Sequence, residues 1–252
     1  MEFHLKQFSI NHSKSSMKVG TDAILLSVLS PKEIDYEKTE ENKTKDKEIK
    51  NILDIGTGSG IIALCMGQRH PQSRIIAIDI DSSSIKEAES NFKTSKFSNR
   101  IKAKEIDVFS FSKTSKERFD LIISNPPYFL YSLKSSDEKR NNARHSTASL
   151  DFKTLILSVK TLLKDNGVFS LILPKKESEI FIPIAKQEGL TLLKQTLIYP
   201  NNKKPCNRVV MLFTKNKPSL NNYIPKQEEL FLRDENNNPT KEYTTLSKEF
   251  LL

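Results

Sequence analysis

The sequence predicts an α/β domain: a doubly wound, mostly parallel seven-stranded sheet with an antiparallel hairpin at one edge, behind a short N-terminal extension. Three observations predict it. Short continuous apolar runs alternate with helix-period segments from residue 51 to about residue 188. Such runs mark strands covered on both faces, as parallel sheets require. Two last apolar runs, 190–199 and 209–215, are separated only by a basic loop, and so short a connection joins antiparallel neighbours. Between the first strand and the first helix lies Gly56-Thr57-Gly58-Ser59-Gly60, a turn that lets backbone approach a ligand at the carboxyl edge of such a sheet.

The elements follow in order. Residues 1–31 form the extension, and its end, from Lys18 to Ser27, turns into a helix with Asp22 as the expected N-cap. Residues 32–50 are charge-dense and nearly free of apolar side chains, which predicts a solvated, mobile insertion. Strands are predicted at 51–55, 74–80, 101–108, 119–124 and 168–174. Helices are predicted at 59–69, 82–96 (capped by Asp81 or Ser82), 150–164 and 177–188. Residues 51–217 thus make the main domain, and 218–252 are expected as a tail.

Lys and Arg number 40 against 31 Asp and Glu, a formal net charge of +9. A basic surface attracts polyanions. The two cysteines, Cys65 and Cys206, have no CxxC partner, so neither a metal site nor a disulfide framework is expected. Cys65 falls in an apolar helix pattern and is expected in the core. The N-terminus lacks an apolar signal region, and no apolar run approaches the roughly 20 residues of a membrane span. A cytoplasmic monomer without metal or membrane attachment is expected.

Three carboxylates end successive strands. Asp54 precedes the glycine loop, where a pyrophosphate would be repelled but the amino and carboxylate end of a methionine moiety would be met, directly or through water. Asp79, with Ile80 beside it, is placed to accept ribose hydroxyls. Asp107 can accept from an adenine amino group while Val108 donates a backbone N–H. With Gly56, Gly58 and Gly60 these residues form the candidate cofactor site, and Asn125 borders it.

Asn125-Pro126-Pro127-Tyr128 follows the fourth strand. The prolines stiffen the backbone and remove two amide donors, leaving an acceptor-rich turn. The Asn125 side-chain oxygen and the Pro126 carbonyl can each accept one N–H of a planar amino group, aiming its lone pair and favouring the charge that builds on nitrogen during alkylation. Tyr128 can stack on a planar base.

This architecture and spacing resemble the Rossmann-like methyltransferases that use S-adenosylmethionine, which implies that cofactor. The NPPY motif is shared by adenine-N6, guanine-N2 and glutamine-N5 methyltransferases. The string Met17-Lys18-Val19-Gly20-Thr21-Asp22, with Pro205-Cys206-Asn207-Arg208, resembles the bacterial tRNA1(Val) adenine-37 N6-methyltransferases. That resemblance implies a tRNA partner and a leading segment that packs over the cofactor, with Lys18, Gly20 and Thr21 lining its site. A release-factor glutamine and an rRNA guanine are the alternative substrates. Basic residues fit an RNA surface: Lys203, Lys204 and Arg208 in a stretch from Gly189 to Gln227 without acids, and Lys139, Arg140 and Arg144 in the loop after NPPY. The loop 129–149 is of a length to fold over a flipped base.

Overall fold

A computed structural model describes residues 2–13, 20–34, 47–127, 152–216 and 223–251. Loop 129–149 and Lys18, Tyr128, Lys139, Arg140 and Arg144 lie outside the described residues. The chain opens with an antiparallel hairpin, β1 (Glu2–His4) and β2 (Ser9–Asn11), followed by α1 (Thr21–Leu29). A two-stranded ribbon of β3 (Glu33–Ile34) and β4 (Lys47–Glu48) comes next. The ends of the stretch expected as a solvated insertion are therefore paired, and Ile34 and Ile49 are buried.

The main unit runs β5 (Asn51–Ile55), α2 (Ile61–Arg69), β6 (Arg74–Asp79), α3 (Ser82–Thr94), β7 (Ile101–Glu105), α4 (Val108–Thr114) and β8 (Phe119–Ser124). It continues with α5 (Phe152–Leu162), β9 (Leu163–Pro174), α6 (Lys175–Gln187), β10 (Thr191–Asn201), β11 (Arg208–Thr214), β12 (Lys226–Arg233) and α7 (Lys241–Ser247). The large sheet has the order β12-β10-β11-β9-β8-β5-β6-β7. All its pairings are parallel except the two made by β11.

Strand side chains alternate between two cores, as the pleat dictates. Ile52, Ile75 and Ile123 pack with α1, α2 and α3 on one face. Leu53, Ile76 and Ile122 pack with α4, α5 and α6 on the other. The second core carries an aromatic cluster in which Phe181 lies 5.0 Å from Phe152 and 5.5 Å from Phe213 between ring centroids. Each such pair adds about 0.5–1.5 kcal/mol beyond its buried area. Asp120, at the amino end of β8, is held by Lys164 at 2.9 Å and by the Asn51 amide at 2.9 Å, so it staples β5, β8 and β9.

Four expectations are corrected. Among the described residues the sheet has eight strands, not seven, because the stretch expected as a tail supplies β12. Its Leu230 is buried beside β10 while Glu228 takes Lys194 and Lys226 as partners. Asp22 is not the cap of α1: Gly20 is, and Asp22 sits in the first turn. The strand predicted over 101–108 stops at Glu105, because Asp107 caps a short helix there. Helix 59–69 starts at Ile61, after a left-handed Gly60.

Candidate active site

The parallel pairings bring the ends of β7, β6, β5, β8 and β9 to one edge, and the pairings of β10, β11 and β12 extend it. Along that edge Ile55 is level with Ile78 and Ser124, Asp79 with Glu105, and Pro174 with Arg208.

Asp54 is wholly buried. Its Oδ2 accepts the Thr57 hydroxyl at 2.6 Å and the Ala63 amide at 3.2 Å, but its Oδ1 finds no partner among the described residues. Burial pushes its carboxyl from an ordinary 3.8 up to about 7; Asp79 pushes the same way, and the bonds from Thr57 and Ala63 pull it back. An orphaned carboxylate oxygen of this kind is a strong acceptor for a cationic amino group.

The loop after Asp54 is left-handed at Gly56 (φ 71°), Gly58 (φ 54°) and Gly60 (φ 86°). A Cβ added at Gly56 or Gly58 would meet nothing within 4 Å, whereas one at Gly60 would lie 2.5 Å from Phe92 Cε1. The first two glycines therefore border open space, and the third lets α2 and α3 approach. The loop is hooked over β6: the Gly56 and Thr57 amides donate to the Ile78 carbonyl at 2.9 and 3.0 Å.

Asp79 ends β6. Its Oδ2 accepts the Gly58 amide at 2.9 Å and its Oδ1 the Asp81 amide at 3.0 Å. Each oxygen keeps acceptor capacity. Ile80, next to it, is 53% exposed. Asp107 accepts the Ser110 amide on Oδ1 at 2.8 Å, and Ser110 holds its carboxyl below the usual range. Oδ2 is its other oxygen. Val108 is the first residue of α4, where an amide has no acceptor within the helix.

The Ser124 hydroxyl donates to the Ile55 carbonyl at 2.9 Å, so the turn after β8 starts beside the glycine loop. Asn125 and Pro126 are buried there and Pro127 is exposed.

Asp54, Gly56, Gly58, Gly60, Asp79, Ile80, Asp107, Val108, Asn125, Pro126 and Pro127 thus converge on the ends of four adjacent strands. Gly20 and Thr21 stand exposed at the start of α1, which the Asp22–Arg208 ion pair (2.9 Å) ties to the start of β11. Lys203 and Lys204 lie exposed in the turn after β10, at the same edge but beyond β9. Lys175 and Lys176, at the end of β9, join them. Nothing in the sequence marks this pair, because a basic dipeptide at a strand–helix junction has no distinguishing pattern.

Cys65 is buried in α2, and burial pushes its thiol up to about 12. A cavity of about 340 Å³ lies elsewhere, among α1, β10, β12 and α7, and none of the sequence-predicted site residues lines it. Among the described residues no cluster of His, Cys, Asp or Glu fits a metal ion, and no helix is long and apolar enough to cross a membrane.

The family model described as "Methyltransferase small domain" matches residues 25–176. Two relatives bearing the description tRNA1(Val) (adenine(37)-N6)-methyltransferase match nearly end to end. The protein from Bacteroides fragilis is 36% identical over 99% of this chain and 97% of its own length. That from Phocaeicola vulgatus is 38% identical, again over 99% and 97%. The chain belongs to the tRNA1(Val) (adenine(37)-N6)-methyltransferase family. Among solved structures, a predicted O-methyltransferase from Agrobacterium tumefaciens superposes with a TM-score of 0.65 at 18% identity, over 91% of this chain and 96% of that one. It shares the methyltransferase fold. For this family member, the region matched by the family model holds both the glycine loop and the Asn-Pro-Pro turn.

Proposed function

We propose that the protein transfers a methyl group from S-adenosylmethionine to the exocyclic N6 amino group of adenine 37 in a valine tRNA. The observation that carries this reading is the position of Asn125-Pro126-Pro127. The turn stands at the end of β8, between an acid-bearing half of the sheet edge (Asp54, Asp79, Asp107) and a lysine-bearing half (Lys175, Lys176, Lys203, Lys204).

The acidic half fits the cofactor. The orphaned Asp54 Oδ1 suits a cationic α-amino group, and the space at Gly56 and Gly58 admits a ligand against bare backbone. In this reading Asp79 accepts the ribose hydroxyls, Ile80 packs on the adenine, and Asp107 and the Val108 amide meet its polar edge. Lys18, Gly20 and Thr21 close over it. The bound cofactor supplies an electrophilic methyl group.

The protein's own residues do the positioning. The Asn125 side chain and the Pro126 carbonyl accept the two N–H groups of the target amine, Pro127 keeps the turn stiff, and Tyr128 stacks on the base. Those acceptors strengthen as nitrogen becomes positive, so they stabilise the transition state more than the bound substrate.

The lysine half suits phosphates. Lys175 has Glu179 as a partner at 3.1 Å, while Lys176, Lys203 and Lys204 make no ion pair among the described residues. Lys139, Arg140 and Arg144 complete the proposed RNA contacts, while Arg208, paired with Asp22, takes an anchoring role in place of the RNA contact expected from the sequence. The same reading has a monomer acting in the cytoplasm.

Labelled cofactor offered in parallel to tRNA, rRNA, DNA and release factor tests the assignment. Label in tRNA as N6-methyladenosine, lowered about 10²–10³-fold by Asn125→Ala, is the expected result. Label only in protein, or only as N2-methylguanosine, overturns the substrate; full activity of Asn125→Ala overturns the mechanism.

A further inference from the structure

α3 carries a buried asparagine that the proposed chemistry does not use. Asn91 is 3% exposed. Its Oδ1 accepts the Asn11 amide at 2.9 Å, and its Nδ2 donates to the Asn11 carbonyl at 2.8 Å and to the Ser59 carbonyl at 2.8 Å. Both partners on Asn11 are backbone atoms, so the side-chain amide pairs with the end of β2 as a neighbouring strand would. Its second N–H holds the glycine loop between Gly58 and Gly60. Only a primary amide offers one acceptor and two donors in so small a space, and the three partners leave one orientation of the group. One turn earlier on the same helix, Glu87 accepts the Ser13 hydroxyl at 3.2 Å. The segment 11–13 is thus gripped by α3 through both side chains, and the Asn91 grip reaches the loop as well. Two peptide units back from the Ser59 carbonyl, the Gly58 amide donates to Asp79.

We infer that Asn91 is a positioning residue that couples the N-terminal hairpin to the cofactor loop, so that filling the cofactor site steadies residues 9–13 and displacing those residues weakens cofactor binding. The inference rests on the cofactor reading above. It adds that the hairpin, which supplies none of the proposed cofactor contacts, tunes cofactor affinity through one side chain.

Asn91→Asp is nearly isosteric and keeps the acceptor for the Asn11 amide, but it sets a carboxylate oxygen against the two carbonyls. Asn91→Gln keeps all three functions on a longer stem. Hydrogen exchange and calorimetric titration with S-adenosylmethionine on the full chain read the coupling. In the unaltered protein, cofactor slows exchange at residues 56–60 and also at 9–13. In N91D only the loop is protected. Its cofactor Kd rises about tenfold, kcat at saturating cofactor stays within about twofold, and N91Q recovers part of the remote protection. A purely structural role would instead lower the melting temperature and leave Kd unchanged, which overturns the inference. Protection confined to 56–60 in the unaltered protein also overturns it, and that result stands even should N91D not fold. Absence of any cofactor binding by the unaltered protein sinks the cofactor reading instead.

Discussion

Arg208 donates its Nε–H to Asp22 Oδ2 at 2.9 Å, joining positions 186 residues apart. The pair ties the first turn of α1 to the start of β11, and so fixes Gly20 and Thr21 relative to the sheet edge. Arg208 also donates through Nη1 to the Asn207 carbonyl at 2.9 Å. Its guanidinium is thereby engaged within the protein, which favours an anchoring role over a phosphate contact.

If Arg208 anchors, Asp22→Ala and Arg208→Ala have one phenotype. Each costs about 1 kcal/mol or less, because the pair is partly exposed. The double variant is no less stable than either single, and all three weaken cofactor binding alike. A rise in the KM for tRNA in Arg208→Ala alone would return Arg208 to the RNA surface.

If Asp54 receives the cofactor's amino group, cofactor affinity depends on pH. The folded protein holds a proton that the unfolded chain releases between an ordinary 3.8 and about 7, so this group's contribution to stability declines as the pH climbs through that window. Asp54→Asn should flatten the decline, raise the melting temperature of the cofactor-free protein at pH 8 by a few degrees, and weaken cofactor binding about tenfold or more. Cofactor affinity of the unaltered protein rises from pH 5 to 7. Calorimetry in buffers of differing ionisation enthalpy should show a proton released on binding at pH 6. No release, or an Asn variant that binds normally, removes Asp54 from the site.

The three loop glycines separate packing from binding. Gly60→Ala combines a left-handed backbone, costing about 1–2 kcal/mol, with an approach of 2.5 Å to the buried Phe92 ring. Its stability loss should reach about 3 kcal/mol. Gly56→Ala suffers only the backbone cost, yet sets a methyl group in the open space over the loop. Melting temperature and cofactor Kd together distinguish them: Gly60→Ala loses mainly stability, Gly56→Ala mainly affinity.

Lysines that meet phosphates betray themselves in salt. Binding of tRNA by a Lys203→Ala, Lys204→Ala double variant should lose about one unit of log–log salt slope for each phosphate contact removed, with cofactor Kd unchanged. An unaltered slope places the RNA elsewhere.

Much of the arrangement was legible because the signals were strong. The apolar runs at 51–55, 74–79 and 119–124 admit little but buried strands, and strand ends are where Asp54, Asp79 and Asn125 stand. β12 was not legible: KQEELFLR has a charged outer face, as edge strands do, and its alternation is short. α4 was not legible because seven residues give too little helical periodicity, and an acid at a strand end such as Asp107 suits a ligand as well as a helix cap. Nothing in the segment around Asn91 separates it from a surface asparagine. Its importance arises from what α3 packs against, which local patterning does not encode.

The sheet order sets β8 as a divide, with β5, β6 and β7 on one side and β9, β11, β10 and β12 on the other. Within the sheet no strand of one set pairs with a strand of the other except through β8, so a change on the lysine-bearing side that leaves the Asp22–Arg208 pair in place keeps every strand pairing beneath the glycine loop and its carboxylates. On the proposed assignment of the two halves, drift in the β9–β12 half can therefore exchange one nucleic-acid target for another while the glycine-loop half stays constant. The topology insulates the chemistry from its own diversification.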